Sequence, residues 1–191
     1  MLQPVHSGRC LVLGLMLWTG CGAFSPRMPE MPEGEGGTFI QPDAPDIVVT
    51  NLQTSVAELS ASSYRRSLHM SLEYMPTAIA QARDPSLWAS WGHMEESSYF
   101  TTLTEAARQG TGHLLRLDNV STEIGDRHYK MDANYLLVVR HLRAGVPDTL
   151  QGRLIWEIES DENGLWALTR WVDQGLGGVA SWSDLKAEFA K

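Results

Sequence analysis

The order of apolar patterns along the chain predicts an α+β fold, with helices first and an antiparallel sheet of about four strands after them. Three observations carry that prediction. Val48, Leu52, Val56 and Leu59 recur at four- and three-residue steps, the spacing of one helix face. From His113 onward the period changes to two: Tyr129, Met131, Ala133, Tyr135, Leu137, Val139 and His141 alternate with Lys130, Asp132, Asn134 and Arg140, and Leu150, Gly152, Leu154, Trp156 and Ile158 repeat the pattern. Asp161-Glu162-Asn163-Gly164 then reads as a turn, returning through Leu165 to Asp173 as a hairpin.

The first helix follows Pro45, with Asp46 as its expected acidic N-cap. A second short helix is expected around Tyr64, with Leu68 and Leu72 four apart. Glu73 to Ala82 suits an edge strand or a loop, because Pro76 interrupts it. Arg83 to Gly92 reads as a loop carrying Trp88 and Trp91, and His93 to Gln109 as a helix stopped at Gly110. Gly175, Gly177 and Gly178 read as a turn, since no βαβ unit follows to make them a phosphate cradle. Ser183 to Ala190, with Leu185 and Phe189 four apart and Ser183 as its cap, is expected to pack back on the domain as an amphipathic helix.

The N-terminal region is of another kind. Arg9 precedes the apolar run Cys10 to Trp18, about half of the roughly 20 residues that a spanning helix needs, so the run suits an export signal better than a permanent anchor. LWTGCG then resembles a bacterial lipobox. Thr19 and Gly20 fit that motif, whereas Trp18 stands where leucine is usual. The resemblance implies residues 1–20 as a lipoprotein signal peptide and Cys21 as a lipidated (palmitate-bearing) N-terminus. Residues 21–45 carry five prolines, several glycines and Glu30, Glu33 and Glu35, too few apolar groups to offset chain entropy, and read as a tether. Fully extended in polyproline form, such a tether reaches about 75 Å. Residues 46–191 are then the folded domain. A cell-envelope location follows, with Gly22 rather than aspartate after Cys21 leaning toward the outer membrane, facing the periplasm.

Composition limits the function. A net charge of −8 weighs against nucleic acid as a partner, because phosphate-backbone binding needs surplus Lys and Arg. No cysteine follows Cys21, so the domain holds no disulfide or cysteine-based metal site. Its histidines lack HExxH or comparable spacing, and no GxSxG elbow is present; no metal, cofactor or catalytic set is predicted.

The closing strand GLWALTRWVDQ, with Trp166, Leu168, Arg170, Trp171 and Asp173, resembles that of the nuclear transport factor 2-like (cystatin-like, SnoaL-type) superfamily. The opening NLQTSVAELSASSYRRSL resembles the first helices of its secreted bacterial members. The resemblance implies a cone: helices packed on a strongly curved sheet around a cavity that different members use for catalysis, ligand binding or dimerisation. A fold with so many uses assigns no reaction. Isomerases and dehydratases of the family set an acid or histidine base opposite hydrogen-bond donors. Asp132, Asp173, His93, His141, Tyr64 and Tyr135 are the groups to consider, but Asp132 has the strand parity opposite Tyr135 and His141. The preferred expectation is a non-catalytic binding or assembly module, taking a protein partner or an apolar small ligand, with Trp88, Trp91, Tyr135 and His141 as its pocket or partner surface. The alternative is a small isomerase or dehydratase, favoured by an open cavity with an acid near Tyr donors and disfavoured by a cavity filled with Trp and Leu.

Overall fold

A computed structural model describes residues 38–110 and 112–190; the predicted signal peptide, Cys21 and most of the predicted tether lie outside these residues. Six helices and five strands follow in the order α1 (Pro45–Glu58), α2 (Ala61–Arg66), β1 (Leu68–Met75), α3 (Ala78–Arg83), α4 (Pro85–Trp88), α5 (His93–Ala106), β2 (Leu114–Ile124), β3 (His128–Val138), β4 (Thr149–Ser160), β5 (Trp166–Gly175) and α6 (Trp182–Phe189). The strands form one sheet in the order β1-β5-β4-β3-β2. The α+β class stands, with two corrections: the sheet has five strands, and β1 pairs parallel to β5 while the other pairs are antiparallel.

β1 is the strand that the four-residue spacing concealed. Leu68 and Leu72 do not continue α2, which stops at Arg66; they turn inward from a strand together with Tyr74. The β1–β5 register shifts between Leu68 and Glu73, and such bulges bend a sheet. β2 shifts register between Asp118 and Ser121, where Asn119 adopts φ of 53°, and β4 against β5 between Glu157 and Ile158. The last shift puts Leu168, Trp171 and Asp173 all on the inner face.

Caps differ from expectation in detail. Ala44 precedes α1 without a side-chain cap, Pro45 occupies its first turn, and Asp46 lies inside the helix, where an acid still favours the positive end of the dipole. Ser181, not Ser183, caps α6, in a reciprocal box with Asp184. The Trp88–Trp91 region is not a loop throughout: Thr77 and Asp84 cap the short helices α3 and α4.

The ordered fold begins before residue 46. Asn51, buried in α1, accepts from the Ile40 amide at 3.0 Å and donates to the Ile40 carbonyl at 2.7 Å. Arg66 stacks on Phe39, and Pro42 accepts from the Trp166 amide. Residues 38–44 are thus fastened to the domain and do not behave as tether. Among the described residues, no helix is long and apolar enough to cross a membrane.

Candidate functional site

The interior of the fold is polar at its centre. α5 lays its stripe Glu96, Tyr99, Phe100 and Leu103 toward the sheet, and α6 lays Trp182, Leu185, Lys186 and Phe189 against it. The two stripes meet in an ion pair, Lys186 Nζ to Glu96 Oε2 at 2.8 Å, with both side chains wholly inaccessible. Glu96 also accepts from Tyr64 Oη at 2.6 Å and from Trp91 Nε1 at 2.7 Å. The ammonium lies 3.6 Å from the centre of the Tyr74 ring and 3.5 Å from that of Trp171, with the Tyr99 and Trp182 rings within 6 Å. Burial pulls the Lys186 ammonium down to about 8, against the opposing pull of Glu96 and, more weakly, Asp173.

Beside this pair lies a second carboxyl. Asp173 on β5 accepts from Tyr135 Oη at 2.9 Å and from the Ser183 amide at 2.7 Å, and Ser183 Oγ donates to it as well. Tyr74 Oη lies 2.7 Å from Ser183 Oγ, which also accepts from the Thr77 amide. The Trp182 amide donates to Tyr135 Oη at 2.7 Å. Burial raises the Asp173 carboxyl above its ordinary range, and the Ser183 and Tyr135 donors pull it back. Tyr64, Tyr74, Tyr99 and Tyr135 are all raised, burial being the largest cause for each and neighbouring carboxylates adding to it.

Tyr135 reaches Asp173 because the strand beside it has no side chain at Gly152. A Cβ there would stand 2.5 Å from Tyr135 Oη and 2.7 Å from the Gln174 carbonyl oxygen. Glycine makes room for the phenol to lie across β4.

The four residues predicted as a pocket or partner surface are all at least nine-tenths buried. Trp88 donates to the Ala80 carbonyl; Trp91 serves Glu96 and contributes the floor of a shallow groove with Leu87, Met94 and Ser98; Tyr135 serves Asp173. His141 is separate: its ring packs edge-on to Phe189, and its Nε2 lies 3.5 Å from Asp148 Oδ1 without making a hydrogen bond. Asp132 points the other way, as its parity predicts, and binds Arg153 through both carboxylate oxygens. His93 opens α5 outside the cluster. Sequence reasoning weighed Asp173, Tyr64 and Tyr135 but missed Glu96, Lys186, Tyr74 and Ser183. Glu96 and Lys186 each fall on the apolar stripe of their own helix, the signal that could have found them.

Among the described residues, the grooves at Ile79 and Val179, at Phe39 and Trp166, and at Trp91 and Ser98 are lined by neither Glu96 nor Asp173. One, of about 230 Å³, lies between α3 and the loop before α6 and gathers Ile79, Leu176 and Val179. Among the described residues no cluster of three or more His, Cys, Asp and Glu could hold a metal ion.

No family model and no curated protein matches the sequence. Solved structures do match in shape. An NTF2-like protein from Cytophaga hutchinsonii superposes with a TM-score of 0.52 at 9% identity, over 68% of this chain and 93% of its own. A candidate scytalone dehydratase from Novosphingobium aromaticivorans gives 0.54 at 9% identity, over 72% and 89%. A ketosteroid isomerase-like protein from Erwinia carotovora atroseptica gives 0.51 at 11% identity, over 69% and 93%. At such identities the likeness is one of fold: residues 38–190 adopt the nuclear transport factor 2-like, cystatin-like cone.

Proposed function

We propose that this chain is an envelope lipoprotein, held at the membrane through lipid on Cys21, whose cone is a non-catalytic binding or assembly module for a protein partner. One observation carries the non-catalytic part: each buried acid of the cone is already engaged. Glu96 is held by Tyr64, Trp91 and Lys186, and Asp173 by Tyr135 and Ser183. A general base must lie within reach of a bound substrate, and neither acid lines any of the grooves described above. Supporting a surface role, Ile79, Leu176 and Val179, respectively 69%, 44% and 44% exposed, share the groove beside α6. Exposed apolar side chains gathered at one place favour a partner.

Two measurements test this reading. Labelling with a fatty-acid analogue marks the wild type and not Cys21→Ser, which leaves the membrane fraction; an unlabelled wild type or a retained variant refutes the anchor. A photo-crosslinker at Ile79 yields a discrete adduct in the envelope that Val179→Asp abolishes, and no adduct counts against a partner at that groove.

A second reading is favoured by one feature, the Asp173–Tyr135 pair, an acid facing a phenol inside a fold shared with a candidate dehydratase and a ketosteroid isomerase-like protein. On that reading the wild type isomerises or dehydrates a small ketone and Asp173→Asn does not. Absence of turnover across a panel of β-hydroxy and β,γ-unsaturated ketones leaves the binding module standing.

A further inference from the structure

We propose that the centre of the cone is a binding site for a primary alkylammonium group, and that Lys186 is the ligand it holds in this structure. The parts of such a site are all present. Tyr74 and Trp171 put their ring faces 3.6 and 3.5 Å from the nitrogen, Tyr99 and Trp182 stand further out at 5.8 and 5.7 Å, and Glu96 supplies one carboxylate oxygen at 2.8 Å. Aromatic faces attract a cation through the ring quadrupole, more strongly where water is excluded. The carboxylate accepts one N–H, which selects an ammonium bearing protons over a quaternary one.

The cage is built from elements other than the one it holds. Tyr64 of α2 and Trp91, before α5, fix Glu96 from two sides, and the ring walls come from β1, α5 and β5. Only Trp182 shares the helix of Lys186. Truncating Lys186 at Cβ therefore leaves the acceptor and three of the four rings in place, with a void the shape of one propylammonium ion. The cage owes nothing to the lipid anchor or to the groove beside α6, so its failure and theirs are separable.

The experiment is rescue of Lys186→Ala in the full chain. Thermal unfolding is followed with n-propylammonium chloride, with n-propanol as the uncharged isostere and potassium chloride as the salt control. The expected result is a rise in the Tm of the variant of about 3–5 °C once the amine exceeds its Kd about tenfold, with no rise in wild type and less with tetramethylammonium. Equal responses to propanol and propylammonium, or equal responses of variant and wild type, overturn the proposal. If Lys186→Ala does not fold alone, its refolding from urea is measured by near-ultraviolet circular dichroism. Recovery in propylammonium and not in propanol supports the site, and no recovery in the amine overturns it.

Discussion

Lys186→Met removes the cation facing Glu96 while keeping most of the side-chain volume, so it isolates the electrostatic part of the central pair. Both partners are wholly buried, and breaking such a pair costs about 3–5 kcal/mol because one charge is left uncompensated. With a urea m-value of about 2 kcal/mol/M, the unfolding midpoint falls by about 1.5–2.5 M. Glu96→Gln should cost a similar amount, since it strands the ammonium among the rings. The double variant is the informative one. Burial, net of the opposing attraction of Glu96 and Asp173, draws Lys186 from 10.5 to about 8, a differential cost of about 3 kcal/mol on its charged form. Removing both charges escapes that cost, and what remains is a donor from Tyr64 or Trp91 that the glutamine cannot accept, about 1–3 kcal/mol. With about 3 kcal/mol regained and about 1–3 kcal/mol lost, urea unfolding of the four proteins should give a double variant within about 2 kcal/mol of wild type, far from the sum of the two singles. Additivity within about 0.5 kcal/mol, or a single Lys186→Met loss under about 1 kcal/mol, would refute the view that these groups form one coupled unit.

Stability should depend on alkaline pH in two opposed steps. Between about 8 and 10.5 the unfolded chain binds the Lys186 proton that the folded chain has released, so stability rises with pH through that window. Above about 10 the unfolded tyrosines lose protons that Tyr64, Tyr74, Tyr99 and Tyr135 retain when folded, and stability falls. Urea midpoints measured from pH 7 to 11 should therefore pass through a maximum, and Lys186→Met should lose the rising limb but keep the falling one; a rising limb unchanged in that variant rules out Lys186 as its source. Gly152→Ala drives a methyl into Tyr135 and into the Gln174 carbonyl oxygen, and should cost about 1–3 kcal/mol or more. Gly152→Ala with Tyr135→Phe should recover little, because the carbonyl contact remains; full recovery would show that the phenol alone sets the glycine requirement.

The elements that could be read from the sequence are those whose neighbours all lie on one regular face. α1, β3, β4 and α6 announce themselves through regular periodicity and β5 through the turn before it, and Asp132 is correctly turned away from Tyr135 by parity alone. β1 is hidden because Leu68 and Leu72, four apart, share one face in a strand as they would in a helix. Its parallel pairing with β5 arises from contacts about 100 residues distant in sequence, which no local pattern reports. The site was half legible. Asp173, Tyr64 and Tyr135 drew notice as chemistry-bearing residues, while Glu96 and Lys186 look like the solvated charges of ordinary helices until their place on the apolar stripes is noticed. Trp88 and Trp91 show the opposite error: aromatic residues between short, proline-broken segments suggested exposure, but indole N–H groups find partners at Ala80 and Glu96 inside the fold.

The fastening of Ile40 by Asn51 has a mechanical meaning. Two backbone bonds running to one amide side chain act as a buckle, and Pro42, gripping the start of β5 through the Trp166 amide, acts as a second. Force applied at Thr38 meets the clasp on the first helix before it meets the one on the sheet, so both fastenings must slip in turn before the hydrophobic interior feels the pull.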